Sequence, residues 1–179
     1  IKLGKSVEVG NIFKLGTKFS DAFGLSYTAK DGEKKPVVMA SYGIGPGRLM
    51  GTVVEIHHDE DGILWPEEVA PYKIHLIELK TPRPRQGEAE GGQNSKLKTK
   101  VSAAADDLYK DLLAKGTEVL YDDRDDKTPG EKFSDEDLLG VPWRVVISEK
   151  TLEKNGVEIK KRGEKQTKII TTEEILKMK

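Results

Sequence analysis

The sequence predicts an α/β protein with an α+β first part, built on an antiparallel sheet, and a second part with a mixed sheet. An apolar strand over Val37–Tyr42 runs through glycines into a helix that starts near Pro46. Beyond Pro71, strand and helix patterns alternate, which is typical of an α/β layer with partly parallel strands. The 179 residues suffice for part of one core plus a small complete domain. We therefore expect two domains, over residues 1–70 and 71–179.

Short strand patterns and one turn signal organise the first part. Residues 6–20 alternate weakly and predict a strand and a turn. A turn signal at residues 31–32 separates Leu25–Thr28 from Val37–Tyr42, so we expect these two strands to form an antiparallel hairpin. The apolar strand should be buried. Helical spacing of apolar residues extends from Pro46 to about residue 58.

Alternating strands and helices are expected in the second part. Four apolar residues share one helix face between residues 101 and 115, and Gly116 is placed to end that helix. A later helix is expected to start at Ser134, which can cap it. Residues 81–100, rich in proline and glycine, predict a surface loop. The remaining expectations are strands over 72–79, 118–122 and 143–148, a hairpin turn at Asn155-Gly156, and a closing helix capped by Thr171 with Glu174.

Composition excludes several classes of protein. Thirty basic and 31 acidic residues give a net charge of −1, so no global field indicates a nucleic-acid partner, although residues 150–168 are locally basic. The absence of cysteine excludes disulfides and thiolate zinc sites and is consistent with a cytoplasmic protein. No signal peptide or apolar run of membrane-spanning length is visible, so no membrane partner is expected.

The glycine-rich turn after the apolar strand has the chemistry of an anion site. Gly43, Gly45 and Gly47 allow a flat ligand to approach the backbone, and Pro46 suits the first turn of a helix. A helix start attracts anions, and Arg48 adds a planar donor fork suited to phosphate. The alternative is a plain tight turn, with Arg48 in a surface ion pair.

A charged loop follows a predicted strand and is the second candidate site. Arg124 and Lys132 can donate to guanine acceptors, Asp123 and Asp135 can accept from its Watson–Crick edge, and Phe133 can stack on an unpaired base. The alternative is a polar loop with internal ion pairs. No metal site is expected, because the adjacent residues of the run at 57–61 point in different directions.

Particular segments of the chain resemble a known family. Gly43-Ile-Gly-Pro-Gly-Arg48 resembles motif 3 of the class II aminoacyl-tRNA synthetases. Nearly the whole chain except about residues 81–100 looks like the bacterial type of prolyl-tRNA synthetase. The segments that carry this likeness are Glu8-Val-Gly-Asn-Ile-Phe-Lys-Leu-Gly-Thr-Lys-Phe-Ser20, His57-His-Asp-Glu-Asp-Gly-Ile-Leu-Trp-Pro66, Ala70-Pro-Tyr-Lys-Ile-His75, the run 121–135 and Leu139-Gly-Val-Pro-Trp-Arg144.

The resemblance implies an ATP and proline site in the first part. Arg48 would be the catalytic residue that contacts the γ-phosphate of ATP, which would bind with Mg2+. This sequence departs from the family at two places, because Asn11 and Ser41 stand where histidine and cysteine are usual. The residues implied for ATP and proline binding are Glu8, Gly10, Asn11, Ser41, Gly43, Gly45 and Arg48.

The resemblance also implies the partners. Residues 1–70 would belong to an antiparallel class II catalytic sheet, and residues 71–179 would read the anticodon of tRNA(Pro) through Asp123, Arg124, Lys132, Phe133 and Asp135. The full-length enzyme would be a homodimeric ligase that joins proline to its tRNA. The start at Ile1 and the missing motifs 1 and 2 predict a piece that is inactive alone. The alternative is a stand-alone, non-catalytic RNA-binding or regulatory protein.

Overall fold

The computed structural model describes residues 3–80 and 92–178, and for residues 92–99 it describes the backbone only. Contacts between Cα atoms divide the chain into two compact units, residues 1–56 and 57–179. Residues 57–70 thus belong to the second unit by their contacts. The prediction that the two functional domains meet at residues 70 and 71 stays a prediction. In the parts of the chain that the structure describes, no helix is both long and apolar enough to cross a membrane.

The first unit contains two small antiparallel sheets. The predicted turn at residues 31–32 is present, but its strands are not the predicted pair. The strand before the turn pairs with Lys34–Pro36, whereas the apolar strand pairs with residues 10–16 near the start of the chain. The elements are β1 (Gly10–Gly16), α1 (Lys18–Ala22), β2 (Ser26–Thr28), β3 (Lys34–Pro36), β4 (Met39–Ile44) and α2 (Pro46–Ile56).

The predicted burial of the apolar strand was wrong for this chain. Tyr42 and Ile44 on β4 are 80% and 68% exposed, and α2 contains no buried residue. A sheet of two strands offers too little surface to cover either of its own faces. The apolar residues of this unit therefore lie largely in solvent.

The second unit contains a mixed sheet, as predicted, and this sheet has five strands. Its strand order is β6-β5-β7-β8-β9, with β6, β5 and β7 parallel and β7, β8 and β9 antiparallel. The elements are β5 (Ile74–Leu79), α3 (Gly92–Ala114), β6 (Val119–Asp122), α4 (Pro129–Leu139), β7 (Trp143–Ser148), α5 (Glu149–Glu153), β8 (Val157–Lys161), β9 (Thr167–Ile170) and α6 (Thr172–Ile175).

Helix α3 supplies the core with the predicted face. Val101, Ala105, Leu108 and Leu112 are buried against the sheet. The helix begins at Gly92, so the loop prediction was wrong for residues 92–100, and residues 81–91 lie outside the described part of the chain. The burial of these apolar side chains between helix and sheet is the main source of stability for the unit.

Two local predictions in the second unit were wrong. Helix α4 begins five residues before Ser134, because Thr128 rather than Ser134 caps it, in a capping box with Glu131. The turn at 155–156 does not join two strands, since the residues before it form α5. The capping box of Thr171 with Glu174 is present as predicted.

Residues 57–66 pack against the end of α4 at Gly140. This glycine has φ +72°, and a Cβ atom there would lie 2.1 Å from the carbonyl oxygen of Ile63. Gly116, at the end of α3, has a similar φ of +76°, but a Cβ atom there would meet nothing within 4 Å. The two positions share the backbone requirement and differ in the space available.

We therefore predict that Gly140→Ala destabilises the second unit far more than Gly116→Ala. Gly116→Ala, the control, should lower the free energy of unfolding by about 1–2 kcal/mol, because alanine must adopt the left-handed backbone conformation. Gly140→Ala should cost at least about 2 kcal/mol more, because the backbone of residues 57–66 must move. Urea unfolding followed by tryptophan fluorescence reports on this unit, since Trp65 and Trp143 both lie in it. Equal losses in the two variants would contradict the prediction.

Candidate functional site

The glycine-rich turn and β1 form the first candidate site. In the register of β1 with β4, Asn11 lies opposite Gly43, and Phe13 lies opposite Ser41. These four residues share one face of the two-stranded sheet, because directly paired positions point to the same side. Gly10 lies on the other face, opposite Ile44. The structure thus places on one face of the sheet Asn11 and Ser41, the two positions at which the sequence departs from the family it resembles.

Arg48 lies in the first turn of α2 and is exposed. Its Nη1 donates to the backbone oxygen of Glu8 at 3.0 Å, and Asn11 Nδ2 donates to Glu8 Oε1 at 3.2 Å. Glu8 therefore connects the arginine to β1, and no ion pair of Arg48 is present among the residues that the structure describes. A Cβ atom on Gly10 would lie only 3.2 Å from the oxygen of Gly43, so the strands approach closely here.

The second candidate site is the loop after β6 and the first turns of α4. Arg124 donates from Nε and Nη2 to the two carboxylate oxygens of Asp122 at 2.9 and 2.7 Å, and from Nη2 to Asp135 at 2.9 Å. Burial alone would raise the pKa of Asp122, but hydrogen bonds from Arg124 and the charge of Lys132 lower it to about 2. The internal ion pairs of the alternative interpretation are thus present, and they orient an exposed guanidinium.

Lys132 lies beneath this loop and not on its surface. Its side chain is 3% exposed, and its Nζ donates to the backbone oxygens of Glu78 at 2.8 Å and Asp122 at 3.1 Å. Asp122 Oδ1 lies 3.3 Å from the same nitrogen. The ammonium therefore holds the ends of β5 and β6 against α4. The prediction that Lys132 contacts a base stays a prediction, and this geometry does not favour it.

Phe133 and Asp123 differ in accessibility. Phe133 is half-buried, and the Arg144 guanidinium lies 4.4 Å from the centre of its ring, so one ring face is already covered. Asp123 is exposed in the loop. Arg144 also donates from Nη1 to Glu136 Oε2 at 3.1 Å, and burial raises the pKa of Glu136 to about 7.

A cleft opens beside Arg124 and Asp135. Its volume is about 360 Å³. Its lining combines polar groups from the loop with leucine side chains from β6 and the end of α4. Such a combination suits a flat ligand with hydrogen-bonding edges. The lining residues are His75, Leu120, Tyr121, Asp122, Arg124, Asp135, Leu138 and Leu139.

Sequence reasoning missed the residues that organise this loop. Asp122 and Lys80 were not singled out, although Lys80 Nζ bonds Asp125 Oδ1 at 2.7 Å and lies 3.3 Å from the buried carboxylate of Glu78. Acidic residues at strand ends were the available signal. Within residues 3–80 and 92–178, no group of three or more histidine, cysteine or acidic side chains could hold a metal ion.

The chain is similar to several known proteins. A family model described as "Anticodon binding domain" matches residues 90–178. A proline–tRNA ligase of Dehalococcoides mccartyi is 43% identical over 172 residues, which are 96% of this chain and 27% of that protein. The proline–tRNA ligase of Rhizorhabdus wittichii is 44% identical over 167 residues, which are 92% of this chain and 35% of that protein.

Two solved structures are similar across almost the whole chain. Giardia lamblia prolyl-tRNA synthetase in complex with prolyl-adenylate matches 94% of this chain and 33% of its own, with a TM-score of 0.74 and 26% identity. Prolyl-tRNA synthetase from Cryptosporidium parvum, complexed with L-proline and AMP, matches 96% of this chain and 32% of its own, with a TM-score of 0.73 and 25% identity.

The second unit thus carries the anticodon-binding domain of an aminoacyl-tRNA synthetase. The chain as a whole belongs to the prolyl-tRNA synthetases and corresponds to their C-terminal, anticodon-binding part. It spans between 27% and 35% of the length of the two curated relatives described above.

His75, which lines the cleft of the second candidate site, makes the stability of the protein depend on pH. It lies on β5 and is 2% exposed, and its Nδ1 has no hydrogen-bond partner among the described residues. Burial lowers its pKa to about 4. The folded protein therefore keeps His75 neutral at pH values where the unfolded chain, with a histidine pKa near its usual value, binds a proton. Stability should fall as the pH drops from about 6.5 to 4.

We predict that His75→Gln removes part of this pH dependence. Between pH 7 and pH 5, the loss of unfolding free energy should be smaller in the variant than in the wild type by about 1–2 kcal/mol. Urea unfolding at both pH values measures it, and the exposed His57, changed to Gln, is the matched control. Parallel pH profiles for His75→Gln and the wild type would show that the imidazole is not held neutral.

Proposed function

We propose that this chain is the motif 3 and anticodon-binding part of a proline–tRNA ligase that activates proline with ATP and transfers it to tRNA(Pro). The observation that carries the proposal is the oriented guanidinium of Arg124 at the carboxyl edge of the parallel strands, in a domain whose family binds anticodons. Relatives that are proline–tRNA ligases favour this function over a stand-alone RNA-binding protein.

Base recognition would use the cleft beside the loop. Arg124 uses Nε and Nη2 to bond Asp122 and Asp135, and its Nη1 has no partner in the described part of the chain, so Nη1 remains as a donor. A guanine edge offers acceptors to that donor and offers N–H groups to a carboxylate such as Asp135. The leucines at the cleft provide an apolar surface for the base. Because the two acids fix the fork in advance, little side-chain entropy is lost when RNA binds.

Lys132 would support this recognition indirectly. Its ammonium bonds two strand-end carbonyls, so it fixes the loop that carries Arg124. Phosphate contacts would come from exposed cations on the locally basic stretch 150–168. Lys161 is one of them, 41% exposed at its side chain and paired with Glu67 at 2.9 Å.

The first unit would contribute to the adenylation site of the full-length protein. Arg48 would contact the γ-phosphate, and magnesium would enter as part of the ATP complex. The exposed apolar residues of β1, β4 and α2 would pack against the rest of the catalytic domain, which is consistent with the partial coverage of the relatives. The full-length protein would be a homodimer and would act in the cytoplasm, where translation takes place.

Arg124→Ala should reduce discrimination between a proline anticodon stem-loop and one whose central guanine is replaced. The loss should be about 1–3 kcal/mol, because a hydrogen bond from a charged donor to the base is lost. Fluorescence anisotropy with labelled RNA measures both affinities. The matched control is Lys127→Ala, which removes another cation of the same loop, one that pairs with the exposed carboxylate of Glu131 at 3.3 Å. A wild-type chain that binds the two stem-loops equally would refute the anticodon assignment.

Arg48→Ala, tested in the full-length protein that contains this chain, should impair adenylation selectively. Proline-dependent ATP–pyrophosphate exchange should fall about a hundredfold or more, because a charge-assisted phosphate contact is lost, while affinity for tRNA stays nearly unchanged. The exposed Lys30, changed to Ala, is the control for loss of a cation from the same unit. Equal losses of exchange and of tRNA binding would indicate misfolding and would not support a phosphate contact.

A further inference from the structure

The C-terminal end of α4 is capped by side chains and backbone from outside the helix. The last carbonyls of an α-helix have no partner within the helix. Here the carbonyls of residues 137–140 all accept hydrogen bonds, three of them from the segment 57–66. The bonds are Arg162 Nε to Asp137 O (3.0 Å), Ile63 N to Leu138 O (3.3 Å), Trp65 Nε1 to Leu139 O (3.1 Å) and Trp65 N to Gly140 O (3.3 Å).

An ion pair fixes the segment 57–66 in this position. Arg162 donates from Nη1 and Nη2 to the two carboxylate oxygens of Asp59, both at 2.7 Å, and its side chain is 4% exposed. Asp59 Oδ1 also accepts from the backbone N–H groups of Asp61 and Gly62 at 3.0 Å. The same guanidinium therefore holds both the turn of the segment and the end of the helix.

The two backbones also approach more closely than side chains would allow. A Cβ atom on Gly62, which has φ +151°, would lie 2.5 Å from the oxygen of Asp137 and 2.5 Å from the Cα atom of Leu138. Gly62 and Gly140 thus allow a close contact between the segment 57–66 and the end of α4, and neither of these two parts can shift without breaking hydrogen bonds. The N-terminal end of α4 is fixed separately, by the capping box of Thr128 and Glu131.

We propose that Asp59, Trp65 and Arg162 are positioning residues for anticodon recognition, which act by holding the C-terminal end of α4. The helix carries Asp135 and Phe133, so its orientation sets where these groups meet RNA. The three residues act without contact with RNA. The inference rests on the proposed function. It adds residues on two segments that are distant in sequence from the protein loop after β6.

Two conservative variants of the 179-residue chain test the proposal. Trp65→Phe keeps an aromatic ring but removes the donor to Leu139, and Arg162→Lys keeps the charge but removes the bidentate fork. Tyr27→Phe is the control, because it also removes a donor from an aromatic side chain, and Tyr27 is exposed on β2, in the unit that does not contain α4. Hydrogen exchange of the α4 amides and anisotropy with the proline anticodon stem-loop are measured for each.

The expected result is a paired change in both measurements. Amides in the last turn of α4 should exchange about tenfold faster in Trp65→Phe and Arg162→Lys, and affinity for the stem-loop should fall about three- to tenfold, as expected when one or two hydrogen bonds are lost. Amides of β5 and β7 should keep their protection, which excludes global unfolding. Tyr27→Phe should change neither the α4 exchange nor the affinity by more than about twofold.

Three results would overturn the proposal, and they are distinguishable. Unchanged exchange in α4 would show that the segment 57–66 does not hold the helix. Faster exchange with unchanged affinity would show that the hold has no role in recognition. If the wild-type chain does not bind the stem-loop at all, the proposed function itself fails, whatever the variants do.

Discussion

The candidate RNA site depends on one buried cation. The ammonium of Lys132 is inserted between the ends of β5 and β6, and its hydration is replaced by the carbonyl oxygens of Glu78 and Asp122 and the carboxylate of Asp122. A buried ammonium is tolerated only when such oxygens surround it. Both carboxylate oxygens of Asp122 also accept hydrogen bonds from Arg124, and Arg124 in turn bonds Asp135 on α4. The exposed face of the loop is therefore arranged from its buried side.

The sequence indicated this loop as a candidate site, but it did not indicate which of its residues are exposed and which are buried. Residue type assigned Arg124, Lys132, Phe133 and Asp135 to one candidate site, and Arg124 does bond Asp135, because the turn and the helix after β6 bring these two residues together. It could not show that Lys132 faces inward, since its partner Glu78 lies 54 residues earlier in the chain. Long-range pairing of this kind leaves no trace in local periodicity. The same reason explains why the ion pair of Asp59 with Arg162, separated by 103 residues, was not anticipated.

The fold was predictable where one signal dominated. The apolar face of α3 and the strand β7 followed from periodicity, and the mixed sheet followed from the alternation of elements. Predictions failed where two local signals competed. Ser134 can cap a helix, but Thr128 followed by Pro129 and Glu131 makes a stronger start, so α4 begins earlier. At Asn155 the turn is real, with φ +51°, but it joins a helix to a strand.

The first unit illustrates the opposite case, in which the pattern predicts more burial than the chain provides. The apolar residues of β4 alternate poorly and read as a strand buried on both faces, yet Tyr42 and Ile44 are exposed. A hydrophobic pattern records the environment in which a segment is stable. Under the proposed function, that environment is the larger catalytic sheet of which β1 and β4 would be two strands. The face shared by Asn11 and Ser41 would then form one side of the proline pocket, and the pocket would be complete only when the whole catalytic sheet is present. The hydrogen bond from Arg48 to Glu8, in contrast, already forms within residues 1–56.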